Sequence, residues 1–319
     1  MNGVVYIACT NVGRAIIQSH LKNHQNIPIL ALINLDYDKA VGKSNFDPMD
    51  DICLEYNINK ISCQNINDDV VLKRLRDLRP DLIIQSGWSQ KFSNDLLAIP
   101  LFGCIGEHPS PLPIGRGAAC VNWAIIEGHK SWGDSFFRMT SVYDTGDVLS
   151  VDNFSILDCD TCKTVYDKVA LSAYKTIARH LASWILGSFV PIKLDEDLAT
   201  YYKRRRPEDG IFVFEDTAIS IVQKIKALTR PYPGARFIYN NTEIFVWQAS
   251  FLKTDHKNLA PGTVILLPNS VFSVVCSDGN SVIFEEMSSQ LIPPSPPEIF
   301  FEMLFNSPDI KCNNLYISK

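Results

Sequence analysis

The sequence predicts an α/β fold over residues 1–195, a parallel sheet covered by helices, followed by a smaller β domain over residues 211–319. Three observations lead there. The first part alternates short runs that are apolar on both faces with amphipathic segments, as a parallel sheet buried between helices requires. The character changes around Asp195, and residues 196–210 read as a polar, basic linker. Beyond it, short strands recur at even spacing with Gly, Asn and Asp turns between them, which suggests a small barrel or an open β domain.

In chain order, Val4 to Cys9 is a β-rich apolar run. Thr10-Asn11-Val12-Gly13-Arg14 follows as a turn, Ala15 to Lys22 as an amphipathic helix, and Ile29 to Asn34 as the next strand. The lone Gly of that first turn falls short of the GxGxxG dinucleotide fingerprint, so no nicotinamide cofactor is expected. Lys39 to Pro48 is a polar loop, Asp50 to Tyr56 a short helix and Lys60 to Ser62 a short strand. Asp68 to Leu78 is a helix with Val71, Leu72, Leu75 and Leu78 on one side, and it stops before Arg79-Pro80 because the residue before Pro disfavours helix. Asp81 to Ser86 is a buried strand. The loop after it, Gly87-Trp88-Ser89-Gln90-Lys91-Phe92, lies where open α/β sheets bind ligands. Trp88 and Phe92 either flank a flat ligand ring or cover the sheet edge.

Cys104-Ile105 then leads into a Pro/Gly-rich loop. Ala118 to Glu127 is a helix with Gly128 at its end, Asp134 to Thr140 and Val148 to Asn153 are strands, and Thr164 to Leu186 is a long helix closed by Gly187. The last part opens with a helix over Ala218 to Leu228. Strands follow at Arg236 to Tyr239, Glu243 to Ser250, Thr263 to Leu267, Val271 to Cys276 and Ser281 to Met287, with a terminal helix over Glu298 to Phe305.

Composition bounds the function. The chain has 319 residues, 46% hydrophobic and 20% charged, which suits a soluble protein of about two domains. A formal net charge of −5 lacks the basic field of a protein whose main partner is nucleic acid. No signal peptide opens the chain, and no apolar run approaches the ~20 residues of a membrane span. Nine scattered Cys read as thiols in a reducing cytosol, so a cytoplasmic location is expected. Cys159-Asp160-Thr161-Cys162 has no second ligand pair at zinc spacing, and no metal is expected. Lys203-Arg204-Arg205-Arg206 either touches a phosphate or is a solvated, salt-bridged linker.

The chemistry concentrates in residues 103–147. Gly103-Cys104-Ile105-Gly106-Glu107-His108-Pro109-Ser110-Pro111-Leu112-Pro113-Ile114-Gly115-Arg116-Gly117 places one His at the start of a loop too rich in Pro and Gly for helix or strand. Tyr143-Asp144-Thr145-Gly146-Asp147 offers an Asp in a tight turn. A His and a carboxylate brought together by loops at strand ends make a proton-handling pair.

These residues resemble the folate-dependent formyltransferases, a superfamily that includes the methionyl-tRNA and sugar N-formyltransferases. The pattern is Asn-x-His, a Ser-Leu-Leu-Pro-like loop with Arg-Gly, and an Asp-x-Gly turn, here 36 residues after His108 (144 − 108). Arg79-Pro80-Asp81, Arg205-Arg206-Pro207-Glu208-Asp209-Gly210 and Lys226-Ala227-Leu228-Thr229-Arg230-Pro231-Tyr232-Pro233-Gly234-Ala235 extend the likeness along nearly the whole chain. The resemblance implies a Rossmann-like catalytic domain and a C-terminal β-barrel, OB-like domain. It implies N10-formyltetrahydrofolate as co-substrate and a primary amine as acceptor, with His108 and Asp144 catalytic. The pterin would sit near Trp88, Ser89, Gln90, Phe92, Val142 and Tyr143.

Where the family has Asn, this chain has Gly106, and losing an oxyanion donor costs roughly 10²–10³ in rate. Glu107, Ser110, Gln85, Asn122, the Gly106 backbone N–H or a water are the candidate replacements. Otherwise the protein is a weak transferase or a non-catalytic folate or nucleotide-sugar binder. Arg116 would bind the acceptor's phosphate or hold the loop. An amino sugar on a nucleotide is the preferred acceptor. Methionyl-tRNA is less favoured, because the pI is near 5.7 and Ala8-Cys9-Thr10-Asn11 lacks the Gly-Thr-Pro expected of the tRNA enzymes. A homo-oligomer is compatible with all of this.

Overall fold

A computed structural model describes residues 1–239, 241–267, 271–290, 292–297, 299–300 and 317–318. Two compact units form. The first contains Met1–Cys120, Ser131–Ser155 and Val165–Lys203, and the second contains Val121–Lys130, Ile156–Thr164 and Arg204–Lys319.

The elements of the first part run β1 (Val4–Ala8), α1 (Asn11–Asn23), β2 (Ile29–Leu35), α2 (Tyr37–Ala40), α3 (Asp50–Glu55), β3 (Lys60–Cys63), α4 (Asp69–Leu78), β4 (Leu82–Ser86), α5 (Asn94–Leu97), β5 (Cys104–His108), β6 (Arg116–Gly117), α6 (Cys120–Ile126), β7 (Ser131–Arg138), β8 (Val148–Ser155) and α7 (Cys162–Trp184). Seven strands make one sheet in the order β3-β2-β1-β4-β5-β7-β8. The first five are parallel, and the apolar two-sided runs of β1, β2 and β4 form the centre that helices cover. The last two differ from the all-parallel expectation. β7 and β8 are joined by the 139–147 turn as a hairpin, so both pairings, β5–β7 and β7–β8, are antiparallel.

The two faces of this sheet carry different helices. Val5 and Ile7 of β1 share a buried cluster with Val71, Leu72 and Leu75 of α4, the stripe that the sequence put on one side of that helix. On the opposite face the Tyr6 hydroxyl meets His20 of α1 at 2.7 Å. α1 is tied to α7 by Ser19 Oγ donating to Tyr174 O at 2.6 Å and by His24 Nε2 donating to Ile177 O at 3.0 Å. His20 Nε2 lies 2.9 Å from Ile27 O, which can only accept, so Nδ1 is left to accept from Tyr6. Burial pulls the His20 pKa down to about 4.

β9 (Tyr201–Tyr202) pairs in parallel with β6. In the second unit, α8 (Ala218–Leu228) precedes β10 (Ala235–Tyr239), β11 (Thr242–Leu252), β12 (Val264–Leu267), β13 (Val271–Val275), β14 (Ser281–Ser288) and β15 (Ile317–Ser318). These form the smaller β domain, a sheet in the order β10-β11-β14-β13-β12-β15, antiparallel except for the short β12–β15 pairing. Phe212, Phe214, Phe237 and Phe284 pack their rings together in it, and Ile221, Val222, Ile225 and Leu228 of α8 are buried. The terminal helix expected over Glu298 to Phe305 falls, apart from residues 299–300, outside the described residues. Among the described residues no helix is long and apolar enough to cross a membrane.

Candidate active site

β1 leads to β2 and β3 on one side, while β4 and β5 add on the other, so the strand order reverses between β1 and β4. Ligands of open α/β sheets bind at such a switch point. Here Cys9 Sγ donates to Gly87 O at 3.2 Å, and Asn11 Oδ1 is buried without a hydrogen-bond partner. An orphaned acceptor in this crevice suits a flat ligand that carries N–H donors, as a pterin does.

His108 ends β5. Its Nε2 is 2.8 Å from the carbonyl of Gly115, which can only accept, so Nε2 carries a hydrogen. Nδ1 is left facing Asp144 Oδ1 at 3.8 Å. The pair expected from sequence therefore meets, although His108 is the last residue of a strand, because Cys104–His108 pairs with β4 and β7 where a loop was expected, and Asp144 lies in the turn between β7 and β8.

Asp144 is held from several directions. It adopts a left-handed backbone (φ 54°), uncommon for a residue with a side chain. Its Oδ2 accepts from the Gly117 N–H at 2.9 Å, and its carbonyl accepts from Arg116 Nε at 2.8 Å. Gly117 must be glycine, because a Cβ there would lie 2.2 Å from Tyr202 O. Arg116 is only 3% exposed, and its guanidinium forks onto both oxygens of Glu196 at 2.8 and 2.9 Å and reaches Tyr201 Oη at 3.0 Å. Of the two roles open to Arg116, these contacts are those of a side chain that holds the loop. A planar fork suits this bracing better than a flexible ammonium.

Burial weighs against a charged His108. Cys120 beside the ring, the Asp144 carboxylate and the Gly115 carbonyl outweigh it and push the pKa up to about 10. Cys120, at the start of α6, is a neighbour that sequence reasoning missed, and nothing in its local pattern marks it. Glu196 and Tyr201 were missed for the same reason, since both act from the segment read as linker.

Other expected contacts are placed elsewhere. Glu107 does not face the site. Successive residues of a strand point to opposite faces, and Glu107 Oε2 accepts from Ser86 Oγ at 2.6 Å on the side away from His108. There it meets Asp134 of β7. Burial raises the pKa of both carboxyls, and Glu107's charge raises Asp134's further. Ser110 Oγ is fully enclosed and has no hydrogen-bond partner. Phe92 packs in the core cluster with Leu75 and Leu96, and Trp88 joins the same cluster, so these rings cover the sheet. Gln90 ties loops together, donating to Gln64 O at 2.6 Å and accepting from the Ile66 N–H at 2.9 Å. Ser89, Val142 and Tyr143 are exposed.

Gly106 lies on the His108 face. A Cβ there would meet the Phe137 ring at 2.8–2.9 Å and Met139 Cγ at 3.1 Å, so Phe137 fills the place of a side chain. Its backbone is committed too. Met139 N–H donates to Cys104 O at 2.8 Å, and antiparallel alternation then makes Gly106 and Phe137 a mutually hydrogen-bonded pair. Among the described residues no group of three or more His, Cys, Asp and Glu side chains could hold a metal ion.

Family models match both parts of the chain: formyl transferase over residues 2–181, and formyl transferase, C-terminal domain, over residues 205–299. The chain belongs to the formyltransferase family. Among the relatives of this formyltransferase-family protein is the bifunctional polymyxin resistance protein ArnA of Wigglesworthia glossinidia brevipalpis. It is 30% identical over 237 residues, 74% of this chain and 36% of that protein. HypX from Aquifex aeolicus in complex with tetrahydrofolic acid superposes with a TM-score of 0.65 at 17% identity, covering 96% of this chain and 48% of HypX. The N-formyltransferase from Helicobacter canadensis, in complex with folinic acid and dTDP-3-aminofucose, does so at 0.68 and 15%, covering 89% of this chain and 99% of that one. At these identities the structural likeness speaks for the fold. The chain spans about a third of the curated relative and about half of HypX.

Proposed function

We propose that this protein is an N-formyltransferase that moves a formyl group from N10-formyltetrahydrofolate to the primary amine of a nucleotide-linked amino sugar in the cytoplasm. The observation that carries the reading is the oriented pair, with His108 Nε2 fixed on Gly115 O and Nδ1 aimed at Asp144. Family membership supports the folate donor. The relative solved with dTDP-3-aminofucose supports the acceptor class, as does the net charge of −5, which offers RNA no general attraction.

The folate supplies the formyl group as an N10 amide, and the chain's residues move the protons. Asp144 takes one from the amine as the new C–N bond forms. His108 Nδ1–H gives one to N10 as the old C–N bond breaks. Transfer from Asp144 back to Nδ1 resets the pair, so the count closes. A positioned acid and base of this kind contribute about 10²–10⁴ each. Ser89, Val142 and Tyr143 are the exposed groups that would border the pterin.

The test is release of tetrahydrofolate from N10-formyltetrahydrofolate with a panel of dTDP- and UDP-amino sugars, with formylmethionyl-tRNA formation run alongside. Amine-dependent release with a nucleotide sugar is expected, and His108→Ala should lower it at least about 10²-fold. Release in no acceptor mixture would sink the reading, and formylation of methionyl-tRNA alone would replace the acceptor.

A further inference from the structure

Formyl transfer needs a hydrogen-bond donor at the carbonyl oxygen as charge gathers there, and position 106 supplies none. Its side chain is absent, Phe137 fills the space, and its N–H is spent on Phe137. The neighbouring polar groups can be sorted by face and commitment. Glu107 points through the other side of the sheet to Ser86 and brings an acceptor rather than a donor. Asn122 lies on α6 and not on a strand paired with Gly106, and it gives one of its amide hydrogens to Ala227 O at 2.6 Å. Ser110 is 0% exposed, and a Cβ added at Gly115 would lie 3.0 Å from its Cβ.

Gln85 differs from all of these. It lies on β4 with Ile7 as its partner on one side and Gly106 on the other. Paired residues of neighbouring strands point their side chains to the same face, so Gln85 shares a face with Gly106 and, two residues on, with His108. It is 7% exposed and sits where Val5, Ile7 and Ile83 make an apolar surface. A buried amide in such a row is the informative departure. Its Nε2 donates to Trp88 O at 3.2 Å, and a primary amide has a second N–H to give. We infer that Gln85 is a catalytic residue, its Nε2–H donating to the formyl oxygen from the strand next to the one where the family carries its Asn. This rests on the formyl-transfer reading and adds to it the donor that Gly106 lacks. Gln85 and Phe137 thus form a linked set with Gly106: one neighbouring strand closes the vacated space and the other supplies the hydrogen bond.

Two measurements separate this inference from the reading beneath it. The first is affinity for 10-formyl-5,8-dideazafolate and for 5,8-dideazafolate, followed by isothermal titration calorimetry. Wild type should prefer the formylated compound, and Gln85→Met, which keeps the shape and removes the donors, should lose that preference while still binding both. The second is turnover, where Gln85→Met should lower kcat about 10²–10³-fold with little change in KM for folate. Gln85→Glu provides a control of the same size. It should be weak at neutral pH and recover as the carboxyl takes up a proton and becomes a donor, a response a purely structural role would not give. Unchanged kcat and an unchanged formyl preference in Gln85→Met would overturn the inference and leave the transferase standing. So would a loss found in Ser110→Ala in place of Gln85→Met. Wild type that binds neither folate would overturn both.

Discussion

Two acid-bearing pairs lie back to back across β5 and its surroundings. On one face His108 meets Asp144 at 3.8 Å, with the carboxylate also held by the Gly117 N–H. On the other, Glu107 meets Asp134 in a pocket closed by Ser86 and α7, with Glu107 at 6% and Asp134 at 1% exposure. The residues are neighbours in sequence and similar in chemistry. Their partners set them apart. A carboxylate beside an imidazole gains from its charge, whereas two carboxyls in an apolar slot can persist only by keeping protons. The first arrangement can exchange protons with a ligand. The second has no route to one, and buried polar pairs are weak evidence of net stability.

The sharpest way to break the comparison is to neutralise one carboxylate on each face. Asp144→Asn should lower kcat by roughly 10²–10⁴, because the amide cannot take the amine's proton. Asp134→Asn should leave kcat within a few-fold of wild type, since its partner Glu107 can still hold a proton of its own. Steady-state rates at saturating N10-formyltetrahydrofolate measure both. A large rate loss in Asp134→Asn with an intact fold would mean that the two faces are functionally connected.

Replacing the buried pair altogether should act on stability. The double substitution Glu107→Leu and Asp134→Val fills the slot with apolar groups, and since exchanging even a buried ion pair for apolar groups ranges from neutral to a gain of about 1–4 kcal/mol, the variant should be at least as stable as wild type. The sign with pH follows from the raised pKa values. In the folded state these carboxyls hold protons that the unfolded chain releases just above its ordinary carboxylate pKa. Their contribution is therefore complete below about pH 4 and is lost as pH rises through the folded values. The double variant should lose this decline, so its advantage over wild type grows from pH 4 towards pH 8 in urea titrations. A constant gap across that range would show that the pair does not hold its protons.

Much of this was legible in the sequence, and the parts that were not have common causes. Strands with two apolar faces announced β1, β2 and β4, and β3 was readable as a short strand, but β5, with Gly106, Glu107 and His108 in it, read as the start of a loop, and nothing local in Asp134 to Thr140 or Val148 to Asn153 says that those two run antiparallel. Their direction depends on the 139–147 turn folding back. His108 and Asp144 were readable because motif and spacing fixed them jointly. The side of the strand on which each residue falls was readable in principle from period two. It separates Glu107 from the His108 face and puts Gln85, already among the candidate replacements, on that face once the β4–β5 register is known. That register is a tertiary fact. Trp88 and Phe92 stayed open in the sequence because an aromatic at a strand's C-terminal end suits a ligand and a core equally well, and only the folded packing shows that both rings join the core cluster.

The same contrast of environments recurs between two histidines, and it carries the smallest predicted effect. His20 is buried between Tyr6 and Ile27 with no acidic partner, and its pKa falls to about 4. His108 has Cys120, Asp144 and Gly115 around it, and its pKa rises to about 10. For His20 the unfolded chain binds the extra proton between its ordinary value near 6.5 and 4, so stability is complete above pH 6.5 and declines as pH falls through that window. For His108 the sign reverses, with its contribution complete below pH 6.5 and declining as pH rises towards 10. One proton changes stability by at most about 1.4 kcal/mol per pH unit. His20→Gln, which keeps a donor and an acceptor in place, should remove the acid-side slope over pH 4–6.5 and leave the alkaline side as it was. If wild type and His20→Gln lose stability in parallel through that window, His20 is not the group being charged.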